Sequence, residues 1–203
     1  MHEANIKEYI KKNKIPFVIS KYWTGLHSSD RSVTPSYAFD HNVTVDSKAL
    51  KLDAGLLLKD NKGILLAVSD IARTISFTDY GEKLFEVLDK IIYENVIPKI
   101  KSGLTGEEIY LMTTDSIEEY RSVLEPIGMI PKEKVSEVFN RDVGHGLSLH
   151  EPGTLWFEKG DKKAVLEGMV CAHEIQWSTR GFSIGVEDIF LVGKTHGINI
   201  SRD

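Results

Sequence analysis

The spacing of apolar and polar positions divides the chain into strand-like, helical and again strand-like stretches. Near the start, residues 3–14, "EANIKEYIKKNK", predict a short polar helix, and "IPFVIS" predicts a strand. Residues 24–37, "TGLHSSDRSVTPSY", are rich in turn formers and predict a loop. "NVTVDSKALKLDAGLLL" and "ILLAVSDIARTISF" are β-forming runs joined by the turn "DNKG". Residues 79–101 carry the clearest helical signal. Leu84, Phe85, Leu88, Ile91, Ile92 and Val96 recur at helical spacing, and Pro98 and Gly103 mark the end. Thr105 and Glu108 fit a capping box that starts a second helix through "EEIYLMTTDSIEEYRSVL". "PKEKVSEVF" predicts a short third helix. Strands then return in "VGHGLSLH", "GMVCAHEIQW" and "GFSIGVEDIFLVG". Strands, helices, strands in that order predict an α+β protein whose antiparallel sheet is covered on one face.

Composition narrows the function classes. The 203 residues are 41% hydrophobic, enough for a real core, and they fit one large domain or two small ones. The formal net charge of -5 argues against a nucleic-acid surface. Cys171 is the single cysteine, which excludes an internal disulfide framework and fits a reducing compartment. The charged N-terminus, "MHEANIKEYIKKNKIPF", lacks the apolar stretch of a signal peptide. No window is apolar enough to span a membrane. The expectation is a cytoplasmic protein with neither nucleic acid nor membrane as partner.

The strands carry an unusual set of charges. Asp53 and Asp70 lie in otherwise apolar runs on either side of the turn. A hairpin centred between Asn61 and Lys62 sets these two directly opposite each other on one face. Like charges so placed repel unless a cation lies between them or one is protonated. Glu174 sits in the apolar "GMVCAHEIQW", and Glu187 and Asp188 sit in "GFSIGVEDIFLVG". Neighbours in a strand face opposite ways, so one of the last pair is expected to face the interior and the other solvent. His145 and His150 lie in the glycine-rich "GHGLSLHEPG". Four buried carboxylates without cations would cost more than a domain's net stability of about 5–15 kcal/mol. Convergence of these groups and one histidine on divalent metal resolves the conflict, with carboxylates bridging two ions. Oxygen ligands with one nitrogen suit Mn, Co, Fe or Zn.

"LDAG", "SDIARTISF", "GHGLSLHEPG", "LEGMVCAHE" and "GVEDIFLV" together resemble, in order, the creatinase/aminopeptidase ("pita-bread") metallopeptidases, with "DIART" nearest the Xaa-Pro aminopeptidase/prolidase branch. The resemblance implies a pita-bread fold: a curved antiparallel sheet covered by helices on one face. It further implies a single domain over residues 1–203, with its N-terminal half, 1–80, abbreviated. It implies two divalent metal ions, with Asp53, Asp70, His145, Glu174 and Glu187 as ligands, Asp70 and Glu187 bridging. Glu174 would also act as general base. His150 would contact substrate and steady the tetrahedral intermediate. A substrate-binding histidine is expected before Asp53, and His41 is the candidate. The implied activity is that of a metallo-exopeptidase. It would cleave the N-terminal bond of small, Xaa-Pro-like peptides by means of a dinuclear-metal-bound hydroxide. The alternatives are a non-catalytic binding module of the same fold or a methionine aminopeptidase. A homodimer, in which a second copy completes the first half, is compatible with the chain.

Three departures from the family pattern stand out. The separation of Asp53 and Asp70 is lengthened by an even number, which preserves their face. Ile175 follows Glu174 where proline is usual, and Gly185 stands where an arginine often precedes the last glutamate. Trp23, Trp156 and Trp177 are expected to be packing or pocket walls, Cys171 a core residue, and His196 exposed.

Overall fold

The computed structural model describes residues 2–14, 18–28, 48–147, 155–179 and 182–202. His41 and His150 lie outside the described residues, as do residues 42–47 of the predicted strand run that continues into Ala49–Lys59. Helix α1 spans His2–Lys12, close to the predicted 3–14. Three strands follow: β1 Val18–Ser28, β2 Ala49–Lys59 and β3 Leu65–Ser76. They form one antiparallel sheet in the order β1-β2-β3. The strand β1 runs on through "TGLHS", where turn formers predict loop, because Thr24–Ser28 pair with Leu50–Ala54 of β2. Tertiary pairing here overrides local propensity.

The β2–β3 hairpin corrects the expected register. Asp53 lies opposite Ala72 and Asp70 opposite Gly55, so the two aspartates are diagonal rather than face to face. The cause is the turn. Gly63 donates to the Asp60 carbonyl at 3.0 Å, and the Asp60 carboxylate accepts from the Lys62 and Ile64 amides. Gly63 takes φ +82°, the left-handed position of a three-residue loop. A register shift at Leu58/Lys59 adds the rest of the offset. The offset is even, so both aspartates keep the same face.

Helix α2, Asp79–Lys90, begins with the Thr78 hydroxyl accepting from the Gly81 amide, with Asp79 and Glu82 in its first turn. The predicted single helix to residue 101 is broken into a π turn at Ile91–Val96 and a 3-10 turn at Ile97–Lys99. Pro98 explains the break: it has no N–H to continue the α ladder, and its ring crowds the preceding turn. Helix α3, Gly106–Glu119, starts with the capping box expected from Thr105 and Glu108. It stops short of Leu124, and Arg121–Leu124 forms a separate turn, α4. The third predicted helix is reduced to α5, Val135–Val138.

The second sheet holds β4 Gly144–Gly146, β5 Val170–Thr179, β6 Phe182–Val192 and β7 Gly197–Asn199, in the order β4-β5-β6-β7. One apolar cluster joins α2, the π turn and α3 to one face of this sheet. From the sheet side it takes in Cys171, Ile175, Trp177, Ile184, Val186 and Phe190. The opposite face carries the alternate residues, and there β3 packs across β6. The Thr74 hydroxyl bonds both the amide and the carbonyl of Gly185, at 2.8 and 3.0 Å.

Candidate metal centre

Strand alternation decides which charges gather. On β6, Ile184, Val186 and Phe190 face the helices, so Glu187 faces the other way and Asp188 faces the helices. On β5, Ile175 and Trp177 face the helices, so Glu174 and Gln176 share the face of Glu187. Glu174 lies directly opposite Glu187 in the β5–β6 ladder. His145 pairs with Ala172 in the β4–β5 ladder. Its neighbour Gly144 is required, since φ is +140° and a Cβ would stand 2.2 Å from the Ala172 carbonyl oxygen. Gly146 has room for a side chain. Lys51, Asp53 and Gly55 of β2 and Asp70, Ala72 and Thr74 of β3 share the inner face of the first sheet.

Three donor groups meet closely. Ligand atoms of Asp70, His145 and Glu187 lie within 4.8 Å of one another. His145 Nε2 is 3.9 Å from Asp70 Oδ2 and 4.0 Å from Glu187 Oε1. His145 Nδ1 lies 3.3 Å from the Gly146 carbonyl, an acceptor, so the ring proton belongs on Nδ1. The Nε2 lone pair then faces two carboxylates. Trp156 contacts the imidazole edge-on, with ring centroids 5.4 Å apart. Glu187 is 1% exposed, and its Oε1 is a buried acceptor with no hydrogen-bond partner among the described residues. Three acceptors around one space fit a cation, and the donor set of carboxylates with one imidazole fits a divalent transition metal.

Electrostatics draw Asp53 and Glu174 into the same cluster. Burial pushes the Glu187 carboxyl well up, and the charges of Glu174, Asp70 and Asp53 push it further, against Arg73. Glu174 rises to about 7. Burial is the main cause, opposed by a hydrogen bond from Gln176 and reinforced by Asp53 and Asp142. Of the five residues read from the sequence as metal ligands, Asp70, His145 and Glu187 converge, Glu174 lies opposite Glu187, and Asp53 interacts electrostatically with both glutamates. The two substrate-contact candidates, His41 and His150, are not among the described residues.

The sequence reading expects solvent on the far side of Glu187, and this is corrected: Asp188 is fully buried. Burial would raise its carboxyl, yet bonds from Arg202 and Arg73 hold it below the usual range. Arg202 Nε donates at 2.7 Å, and Ser201 Oγ at 3.0 Å. The Arg73 guanidinium also donates to the Glu187 carbonyl, tying β3 to β6. On the same side, burial takes the His173 imidazole down to about 3. Its Nε2 lies 2.9 Å from the Thr113 hydroxyl, which itself donates to the Ile109 carbonyl. Cys171 is buried and pushed up to about 12, an inert thiol. Trp177 is packed, its indole N–H donating to the Met129 carbonyl at 2.7 Å. His196 is exposed, as expected.

Sequence reasoning missed Lys51, Gln176, Arg73 and Arg202. For Lys51 the signal was present: period-two alternation in β2 sets it on the face of Asp53.

A model described as metallopeptidase family M24 matches residues 2–194. No curated protein sequence matches. Among solved structures, a prolidase from Pyrococcus furiosus superposes with a TM-score of 0.74 at 20% identity, covering 98% of this chain and 54% of that one. The prolidase from Pyrococcus horikoshii OT3 gives 0.70 at 23% identity, with 98% and 52% covered. An X-Pro aminopeptidase from Thermotoga maritima MSB8 gives 0.66 at 18%, with 97% and 50% covered. The likeness is one of fold, the pita-bread architecture. The chain spans about half the length of these structures. Among the described residues, no helix is long and apolar enough to cross a membrane.

Proposed function

Because the chain belongs to metallopeptidase family M24, we propose that it is a divalent-metal-dependent exopeptidase that removes the first residue of small peptides, with Xaa-Pro peptides as the substrate class. The observation that carries this reading is the convergence of Asp70, His145 and Glu187 within 4.8 Å, with Glu187 Oε1 buried and without a hydrogen bond among the described residues. Asp70, His145 and Glu187 would hold a divalent ion, and Asp53 and Glu174, which interact electrostatically with Glu187, would supply the further ligands if a second ion binds. Bound metal supplies Lewis acidity, polarising a carbonyl and lowering the pKa of water toward neutrality.

The chain's own groups do the remainder. Glu174, directly opposite Glu187 in the β5–β6 ladder, would accept a proton from attacking water and return it to the leaving amine. The Gly146 carbonyl holds the proton on His145 Nδ1 and so keeps Nε2 available as a ligand. Trp156 covers the imidazole edge. His150 is proposed to contact substrate.

The test is turnover of Xaa-Pro dipeptides by metal-stripped protein to which Mn²⁺ is restored. Hydrolysis is expected with the ion and none without it, and Asp70→Ala is expected to abolish it. Mn²⁺ uptake with no turnover on Xaa-Pro or methionyl peptides would replace the enzyme with a metal-holding binding module.

A further inference from the structure

Lys51 is the largest charged side chain in the interior of the described residues, at 1% exposure, and the proposed chemistry does not use it. It lies on β2 and reaches across to the second sheet, where its Nζ donates to Gln176 Oε1 at 2.8 Å. The Arg141 guanidinium donates to the same oxygen at 3.3 Å. With its oxygen held by two cations, the Gln176 amide can turn only its NH₂ toward Glu174. There it donates to Glu174 Oε1. The chain of contacts is therefore Lys51 to Gln176 to Glu174.

The space for this arrangement comes from Gly185. Gly185 is the cross-strand neighbour of Gln176. A Cβ on Gly185 would stand 2.8 Å from Lys51 Cδ and 3.4 Å from Lys51 Cγ. The lysine stem thus occupies the volume a side chain at 185 would take. Gly185 is also the position where the family pattern often has an arginine. The missing cation is not lost, because one arrives from the neighbouring sheet. Carboxylates and cations face the ammonium from several elements: Asp53 on β2, Glu174 on β5, and Arg141 in the loop before β4.

We propose that Lys51 is a positioning residue that enters through the gap at Gly185 and, by locking the Gln176 amide, fixes the Glu174 carboxylate for its work at the metal centre. The proposal rests on the metallopeptidase reading for the identity of the ligand, and goes beyond it in assigning Lys51, Gln176 and Gly185 as one unit.

Five variants of the full chain test it: Lys51→Met, Gln176→Leu, the two combined, Gly185→Arg, and Lys51→Ala with Gly185→Arg. Each is metal-stripped, checked for folding by circular dichroism, titrated with Mn²⁺ calorimetrically, and assayed on an Xaa-Pro dipeptide. Partners that orient metal ligands change affinity or activity about 10–100-fold when removed. Lys51→Met and Gln176→Leu are each expected to weaken Mn²⁺ binding about 10-fold and lower kcat, with KM within about twofold. The combined variant is expected to be no worse than either alone, because the two residues act in series. Lys51→Ala with Gly185→Arg, in which the shortened side chain vacates the space, is expected to bind Mn²⁺ and turn over better than Lys51→Met. Gly185→Arg alone is expected to lower the Tm, since Lys51 fills its space.

A Lys51→Met protein that folds and binds Mn²⁺ as the wild type does would overturn the proposal and leave Lys51 as packing. Tighter Mn²⁺ binding in that variant would also overturn it, showing a cation that merely repels the metal. A wild-type chain that takes up no Mn²⁺ removes the peptidase reading and this assignment together. Wild-type turnover with unaffected variants removes this assignment alone.

Discussion

Glu187 and Asp188 are adjacent in one strand and equally buried, at 1% and 0% exposure, yet their surroundings are opposite. Asp188 accepts hydrogen bonds from Arg73, Arg202 and Ser201, and its carboxyl is held below the usual range. Glu187 faces Glu174, Asp70 and Asp53, its Oε1 has no hydrogen bond among the described residues, and its carboxyl is driven well up. The histidines differ in what they face. His173 is neutral, its Nε2 bonded to Thr113 and its Nδ1 without a hydrogen bond among the described residues, whereas His145 turns a lone pair toward two carboxylates. Burial alone does not mark a ligand. A buried charge with a full set of partners is a strut, and one left among like charges is waiting for a cation.

The contrast is sharpest in paired substitutions, and the largest effect is expected at the strut. Asp188→Ala removes the buried carboxylate that Arg73 and Arg202 share, leaving Arg202 its pair with Asp89 and Arg73 its carbonyl bonds, and should cost about 3 kcal/mol, the low end for breaking a buried pair by removing one partner. Chemical denaturation with and without Mn²⁺ measures it, and the loss should be the same in both. Glu187→Gln should do the reverse. Removing one of four crowded carboxylates relieves repulsion, so the metal-free protein should melt higher, while Mn²⁺ should no longer stabilise it. If Glu187→Gln destabilised the metal-free protein as much as Asp188→Ala, the two positions would not differ in kind.

That distinction was only half legible in the sequence. The period-two pattern identified Asp53, Asp70, Glu174 and Glu187 as members of strands, and alternation correctly separated Glu187 from Asp188. The pattern could not say what covers each face. Solvent was expected behind Glu187, where Arg202, arriving from just beyond β7, and Arg73 from β3 close over Asp188. Both are long-range contacts that no local spacing encodes. The hairpin shows a second limit. Asp60 and Gly63 announced a turn, but its length was set by hydrogen bonds from two amides to the Asp60 carboxylate and by a bulge. An even slip of register kept the face and changed the neighbour. Lys51 was overlooked because a lysine in a strand reads as a surface residue.

A moderate effect is expected from pH. The Glu174 carboxyl stands near 7 in the folded protein and near 4.5 in the unfolded chain. Its folded form therefore binds a proton more readily than its unfolded form. For metal-free protein this contribution is intact below pH 4.5 and is lost as pH rises through 7. The total is roughly 3 kcal/mol at about 1.4 kcal/mol per pKa unit. Denaturant midpoints between pH 5 and 8 should fall for metal-stripped wild type and fall much less for Glu174→Gln. With Mn²⁺ present the slope should reverse, because a ligand carboxylate binds metal only when ionised. A flat profile without metal would place Glu174 in water, away from Asp53 and Glu187.

The smallest effect belongs to the helix-side histidine, and it asks whether His173 is inert toward the metal. Burial holds its imidazole at about 3, so it is neutral across the working pH range. The Thr113 hydroxyl gives its proton to the Ile109 carbonyl, which leaves it an acceptor for His173 Nε2–H. Thr113→Val keeps the shape and removes the acceptor, so a buried N–H loses its partner at a cost of about 1–3 kcal/mol. The loss should appear in the denaturant midpoint, while Mn²⁺ affinity stays within about twofold, since the His173 side chain and α3 lie on the opposite face of β5 from Glu174. His145→Ala should show the opposite profile, with Mn²⁺ binding lost and metal-free stability nearly retained. Were Thr113→Val to weaken Mn²⁺ binding as His145→Ala does, the two faces of β5 would be coupled, and the division between strut and ligand would not hold for the histidines.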